Sequence, residues 1–323
     1  MLFVVVVHFW QHVCNEHGPF LLMGDYAVTL FLLLSGYGLM SSNMIRQIHL
    51  RTFFTKRIKK VFVPYWLVTI GIIIADHLLL QKHYHLHDLL LTFVGINVSE
   101  SLQYFDHARW FITLLLVNYL AFFVCAKLWN PPKATLALLL FSIGLILLRR
   151  NELFPLGARS QLLAFSIGCL LAVIGPIRWW IEANIRQQIA LVILIALAML
   201  FIYLVVTIGR PAVSFYREKG LIYLQSYVLP YLFCALCILS ISLLATAGYI
   251  SRFLWLCGYL SYELYLIHCA LLIKHNPVLG SFEIRFVLLG LILWFGLALG
   301  LAYALKTSAS QLLHVATFVN RIK

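Results

Sequence analysis

The chain has 323 residues, 63% of them hydrophobic and 11% charged, with a net charge of +13. Soluble domains carry about 25% charged residues, so a soluble core is excluded, and a mean hydropathy of +0.95 predicts a polytopic membrane protein. The basic excess, which in a soluble domain would suggest nucleic acid, is accounted for by topology and by headgroup or phosphate contacts, so no nucleic-acid partner is expected.

Apolar runs near 20 residues mark spanning helices. About ten are predicted, at 1–13, 22–42, 61–81, 108–128, 134–149, 159–176, 188–208, 222–247, 253–273 and 285–306. The runs are too long for strands and do not alternate. The predicted fold is all-α, a transmembrane bundle forming one domain over 1–323 and bounded by membrane lipids.

The first run, Met1-Leu-Phe-Val-Val-Val-Val-His8-Phe-Trp10, sets one titratable ring among valines and aromatics. In a membrane such a ring needs a polar neighbour, either for packing or for function. With 13 residues the run is short of the roughly 20 needed to span. In the second run, Ser35-Gly36 offers small residues for close helix approach. Arg46, Arg51, Lys56, Arg57, Lys59 and Lys60 follow, both a positive-inside stop and a surface fit for phosphate oxygens. If the first helix runs outward, 14 of the 24 Lys and Arg fall inside, six of them in this cluster, and both termini are cytoplasmic. Arg149, Arg150 and Arg159 would lie outside, against that rule.

After the third run, His77, His83, His85 and His87 gather with Asp76 and Asp88. No zinc-type spacing supports a metal site there, so a solvated outer loop is expected. Trp110 opens the fourth run as an interfacial anchor, and Arg109 beside it suits a carboxylate or acceptor contact. The Cys234-x-x-Cys237 pair lies in an apolar run with no second pair, so its thiols read as small buried hydrophobes, and no metal is expected. Arg210, Arg217, Glu218 and Lys219 form a polar outer connection, and Asn276-Pro277 marks a later turn. In the ninth run His268 stands fifteen residues after Phe253, about 22 Å of helical rise. That depth resembles the depth expected for His8, so the two histidines are expected to share a polar cavity. Glu263 in the same run needs a partner such as Tyr65, Arg109 or a water-filled cavity.

The stretch Gly258-Tyr-Leu-Ser261-Tyr262-Glu263-Leu-Tyr-Leu-Ile-His268 resembles the late-helix signature of the acyltransferase 3 family, G-x-I/L-S-Y-x-I/L-Y-L-I/L-H. Other stretches resemble family patterns in order. These are Val28-Thr-Leu-Phe-Leu-Leu-Leu-Ser35-Gly36-Tyr37, Phe54-Thr-Lys-Arg57-Ile-Lys-Lys60-Val-Phe-Val-Pro64-Tyr65, Arg109-Trp110-Phe111-Ile112 and Phe165-Ser-Ile-Gly168. The resemblance covers essentially the whole chain. Lys60 stands where arginine is common, keeping the charge but losing the bidentate fork.

The resemblance implies an integral-membrane O-acyltransferase in a bacterial inner membrane. It would move an acyl group, commonly acetyl, from cytosolic acyl-CoA to a hydroxyl of a surface or lipid-linked glycan, with no bound cofactor. His8 takes the place of the catalytic histidine and acts as general base. Ser35, Arg57, Lys60, Arg109, Trp110, Ser261, Tyr262, Glu263 and His268 are the candidate contacts to donor or acceptor. Members usually carry an arginine in an R-x10-H spacing, and counting back from His8 runs past Met1. Either the chain continues upstream or this member lacks the arginine; the half-length first helix favours the former. The rival reading is a non-enzymatic transporter or polysaccharide-export component. Against it, no pair of short broken helices stands in matching halves.

Overall fold

The structure is a computed structural model that describes residues 1–14, 21–97, 109–148, 159–175, 180, 182–209, 224–244, 248–269 and 287–322. Arg149, Arg150, Arg210, Arg217, Glu218, Lys219, the Asn276-Pro277 turn and the side chain of Arg159 lie outside the described residues. Among the described residues the chain forms helices and no strands. In chain order they are α1 (Leu2–Cys14), α2 (Leu21–Ile45), α3 (Leu50–Leu80), α4 (Leu86–Val94), α5 (Trp110–Leu128), α6 (Pro131–Leu148), α7 (Arg159–Ile174), α8 (Ile185–Gly209), α9 (Leu224–Leu244), α10 (Gly248–Tyr259), α11 (Ser261–Cys269) and α12 (Val287–Ile322). Seven of them, α2, α3, α5, α6, α8, α9 and α12, are long and apolar enough to cross a membrane. The protein is therefore a multi-pass membrane protein. The other runs counted among the ten are shorter helices in the described residues, α1, α7, α10 and α11.

The fold divides into two compact units, each assembled from separated segments. Unit 1 comprises Met1–Leu21, Ile48–Val117 and Leu256–Lys323; unit 2 comprises Leu22–Gln47 and Asn118–Trp255.

In unit 2 small residues set the packing of α2 on α7. A Cβ at Gly36 would come 2.0 Å from the Phe165 carbonyl oxygen, and one at Gly168 equally close to that of Leu33. Backbone thus meets backbone, which only glycine permits at this distance. Around that contact the Cys169 thiol donates to the Gly36 carbonyl at 3.4 Å, and the Thr29 and Ser160 hydroxyls pair at 3.2 Å. Cys234 is buried on α9, as expected of a small hydrophobe, whereas Cys237 is only partly buried.

In unit 1 the face of α12 that carries Trp294, Ala298, Ala302 and Lys306, each one turn and a little apart, organises the core. Its three apolar members are buried against Val5 and Phe9 of α1 and against Leu260, Leu264 and Ile267. The alanines let α1 and α11 approach, and Trp294 fills the wider end against the Phe9 ring, centroids 6.3 Å apart.

Three sequence expectations change here. The third run starts before residue 61, because Arg51 to Lys60 are already helical and α3 runs unbroken from Leu50. It carries a wide π turn at Ile58–Phe62, in which the Val63 amide bonds back to Ile58. Pro64 explains its place: with no N–H, it removes the donor that the Lys60 carbonyl would take in an α-helix. The ninth run is not one straight rod from Phe253. It begins at Gly248 and breaks after Tyr259, so a depth counted along one axis does not apply. The histidine-rich segment is only in part the solvated loop expected: His83 and His85 are exposed in the short non-helical stretch after α3, but the loop is brief. Gln81 turns the chain in the left-handed region (φ 51°), and α4 starts at Leu86, putting His87 inside a helix. Asp76, expected in that outer loop, is fully buried and accepts a hydrogen bond from the Tyr84 hydroxyl. Burial, that bond and the carboxylate's charge push the Tyr84 phenol well above its ordinary value, against a smaller pull from Arg109.

Candidate active site

Unit 1 brings together the two histidines singled out in the sequence. The His8 and His268 rings lie with centroids 5.2 Å apart and tilted by 44°. Val5 and Phe9, on the α1 face beside His8, lock that helix against α12, and this fixes where the imidazole stands. His268 is fully buried near the end of α11, whereas His8 is only half-buried. One ring is thus structural in its setting and the other is reachable.

The tautomer of His268 follows from its neighbour. Its Nδ1 lies 2.6 Å from the Tyr265 carbonyl oxygen, which can only accept. Nδ1 therefore carries the proton in the neutral ring, and Nε2 presents a lone pair. That lone pair faces the Cys269 thiol, 3.2 Å away.

The Arg109-Trp110-Phe111 stretch reaches the same place through its phenylalanine. Phe111 is buried and stacks at 4.8 Å on Tyr265, whose ring lies 5.5 Å from His268. Arg109 itself points elsewhere. It is buried, donates to Thr69 Oγ1 at 2.8 Å and lies 5.0 Å over the Tyr65 ring. The Tyr65 hydroxyl donates to the Thr92 carbonyl at 2.6 Å and accepts from Asn97 at 3.3 Å. Trp110, half-buried at the start of α5, meets Phe111 edge-on.

Neither Tyr65 nor Arg109 is the partner of Glu263. That carboxylate is buried and takes the Lys306 ammonium at 3.2 Å on both oxygens. Lys306 also donates to the Tyr259 carbonyl and lies 4.0 Å from the Tyr259 ring. This explains the break in the ninth run. The Tyr259 carbonyl, which would bond the Glu263 amide in a continuous helix, is taken by a lysine from α12 instead. Tyr262 serves a second irregularity. Its hydroxyl donates at 2.9 Å to the Val61 carbonyl inside the π turn of α3, where regular helical bonding is interrupted.

The remaining candidates have neighbours of their own. Arg57 lies 5.2 Å over the Phe53 ring one turn earlier on α3, and Lys60 is exposed two residues beyond Ile58. Ser261 begins α11. Ser35, in unit 2, pairs its hydroxyl with that of Tyr119 at 3.1 Å. Two further residues of the site, Lys306 and Cys269, carry a faint signal in the sequence: a cation in an apolar helix asks for a counter-charge, and Cys269 follows His268 directly.

The sequence model of the acyltransferase 3 family, described as an acyltransferase domain, matches residues 1–307. The chain belongs to that family. It is an acyltransferase of the membrane, and the match takes in all of the residues discussed above. No curated protein and no solved structure matches it.

Proposed function

We propose that this acyltransferase moves an acetyl group from cytosolic acyl-CoA to a hydroxyl of a cell-surface or lipid-linked glycan, at a bacterial inner membrane, with His8 as general base. The observation that supports this most is the half-buried His8 ring set beside the fully buried, backbone-anchored His268. An alcohol attacks a thioester poorly until a base takes its proton, and neutral imidazole suits that task near neutral pH. A ring nitrogen of His8 removes the acceptor's hydroxyl proton as the oxygen attacks the thioester carbonyl. The C–S bond breaks, and the departing coenzyme A sulfur takes the proton from the imidazolium. His268 and Tyr265 hold the His8 ring in register, a positioning role.

On this reading the basic face of α3 receives the donor's phosphates through Lys60 and Arg57, with the Phe53 ring holding the guanidinium. Trp110 and Ser261, in the same unit as His8, are acceptor contacts open to substitution. Arg109, Tyr262 and Glu263 act on the site indirectly. They fix Tyr65, the π turn of α3 and the break before α11, respectively. Membrane vesicles that contain the protein, its acceptor glycan and acetyl-CoA labelled in the acetyl group test the whole reading. Alkali-labile label on the glycan is expected. Absence of transfer from any acyl-CoA, together with absence of acyl-CoA binding by the purified protein, would overturn it.

A further inference from the structure

The described residues contain one group of three close metal-ligand side chains, and it is not where the sequence clusters its histidines. His8, His268 and Cys269 each offer one ligand atom, and these atoms all lie within 4.8 Å of one another. Around a tetrahedral zinc ion, nitrogen and sulfur ligands sit roughly 3.4–3.6 Å apart, given Zn–N near 2.0–2.1 Å and Zn–S near 2.3 Å. The pair formed by His268 Nε2 and Cys269 Sγ is already at 3.2 Å. Side-chain rotations that move the His8 nitrogen by about 1 Å complete the set.

We propose that His8, His268 and Cys269 bind a thiophilic divalent cation of the zinc type, and that the bound ion withdraws His8 from catalysis. Three features of the site argue for this. Two imidazoles and a thiol are donors that favour zinc over calcium or magnesium. Next, His268 is prepared as a ligand. Its Nδ1–H is held by the Tyr265 carbonyl, which leaves Nε2 aimed at the cluster, and metal-bound histidines are commonly oriented in this way. Lastly, His268 and Cys269 are buried while His8 is half-exposed. The third ligand therefore closes over an ion that arrives from its side, and the fourth position stays open to water.

Binding breaks the Cys269 S–H bond and forms the sulfur–metal bond, with the proton released to solvent. Both imidazoles bind as neutral rings. A ring nitrogen of His8 that donates its lone pair to the metal cannot take a proton from an alcohol. The inhibitory half of the proposal rests on His8 being the base; the binding half does not.

Cobalt is the probe for the test, because cobalt–thiolate bonding produces an intense near-ultraviolet charge-transfer band. The detergent-purified full chain, stripped with chelator, is titrated with Co²⁺ and then with Zn²⁺. One equivalent of cobalt with that band is expected, displaced by one equivalent of zinc. Cys269→Ser should lose the band and weaken zinc binding at least tenfold, and Cys257→Ser, a buried thiol on α10, should keep both. Elution volume and helical content of each variant check folding. An undiminished band in Cys269→Ser, or no saturable cobalt binding by the wild-type chain, overturns the site. In acylation assays, zinc should inhibit the wild type and spare Cys269→Ser. Stoichiometric zinc binding with unaltered acylation would instead retain the metal site and reject His8 as the base.

Discussion

Lys306 shows how much one charge can organise inside an apolar helix. It neutralises Glu263, accepts no bond itself, and supplies the donor that ends α10. Removing one member of such a pair leaves the other buried without compensation. Glu263→Gln should therefore lower thermal stability by on the order of 2–3 kcal/mol, part of the loss being screened because Lys306 is partly exposed. The double variant Glu263→Gln/Lys306→Met should recover part of that loss, and thermal unfolding in detergent for all four proteins measures the coupling. Strictly additive losses would show that the pair contributes nothing jointly. At this scale the sequence was informative about which residues matter and less so about their partners. Glu263 stood out as a carboxylate in an apolar run, yet its partner lies 43 residues away on another helix. Spacing within one helix cannot reveal that. The two histidines come together as expected, whereas no spacing singles out the thiol beside one of them.

Between helices, backbone proximity carries the packing in unit 2. The α2–α7 crossing depends on the missing Cβ atoms of Gly36 and Gly168. Gly168→Ala should separate the two helices and destabilise the protein by about 1–3 kcal/mol, the usual cost of overpacking. A Cβ at Gly144 on α6 would have nothing within 4 Å, so Gly144→Ala should be neutral or slightly stabilising, as alanine favours helix by up to ~1 kcal/mol. Melting temperatures of the two variants decide the matter, and equal effects would contradict this account of the crossing. Ser35-Gly36 was legible in the sequence because membrane helices use small residues to approach closely, whereas Gly168 stood out only through the family resemblance of Phe165-Ser-Ile-Gly168. Helix boundaries were less so. Hydropathy marks what is apolar, and α3 begins in a basic segment that hydropathy assigns to a loop. The break before α11 is invisible in the same way, since it is made by a side chain from α12.

For the whole molecule, composition alone was enough to exclude a soluble fold, and the order of the motifs was enough to suggest the family that matches residues 1–307. Among the described residues seven helices are long and apolar enough to cross a membrane, while α1, α7, α10 and α11 are shorter. Orientation remains a prediction of its own. With the cluster at 46–60 on the inner side, a fluorescent reporter fused after Lys323 should mature in the cytoplasm, while alkaline phosphatase fused there should be inactive. An active phosphatase fusion would reverse the proposed topology and place the donor on the wrong side of the basic face of α3. The central claim is nevertheless chemical, that His8 takes the acceptor's proton. It is tested most directly by the initial rate of glycan acylation in vesicles for His8→Ala beside the wild type, at matched protein levels and with acyl-CoA binding measured in parallel. Loss of a general base predicts a rate lower by roughly 10²–10⁴-fold with donor binding retained, and acylation at the wild-type rate would contradict it.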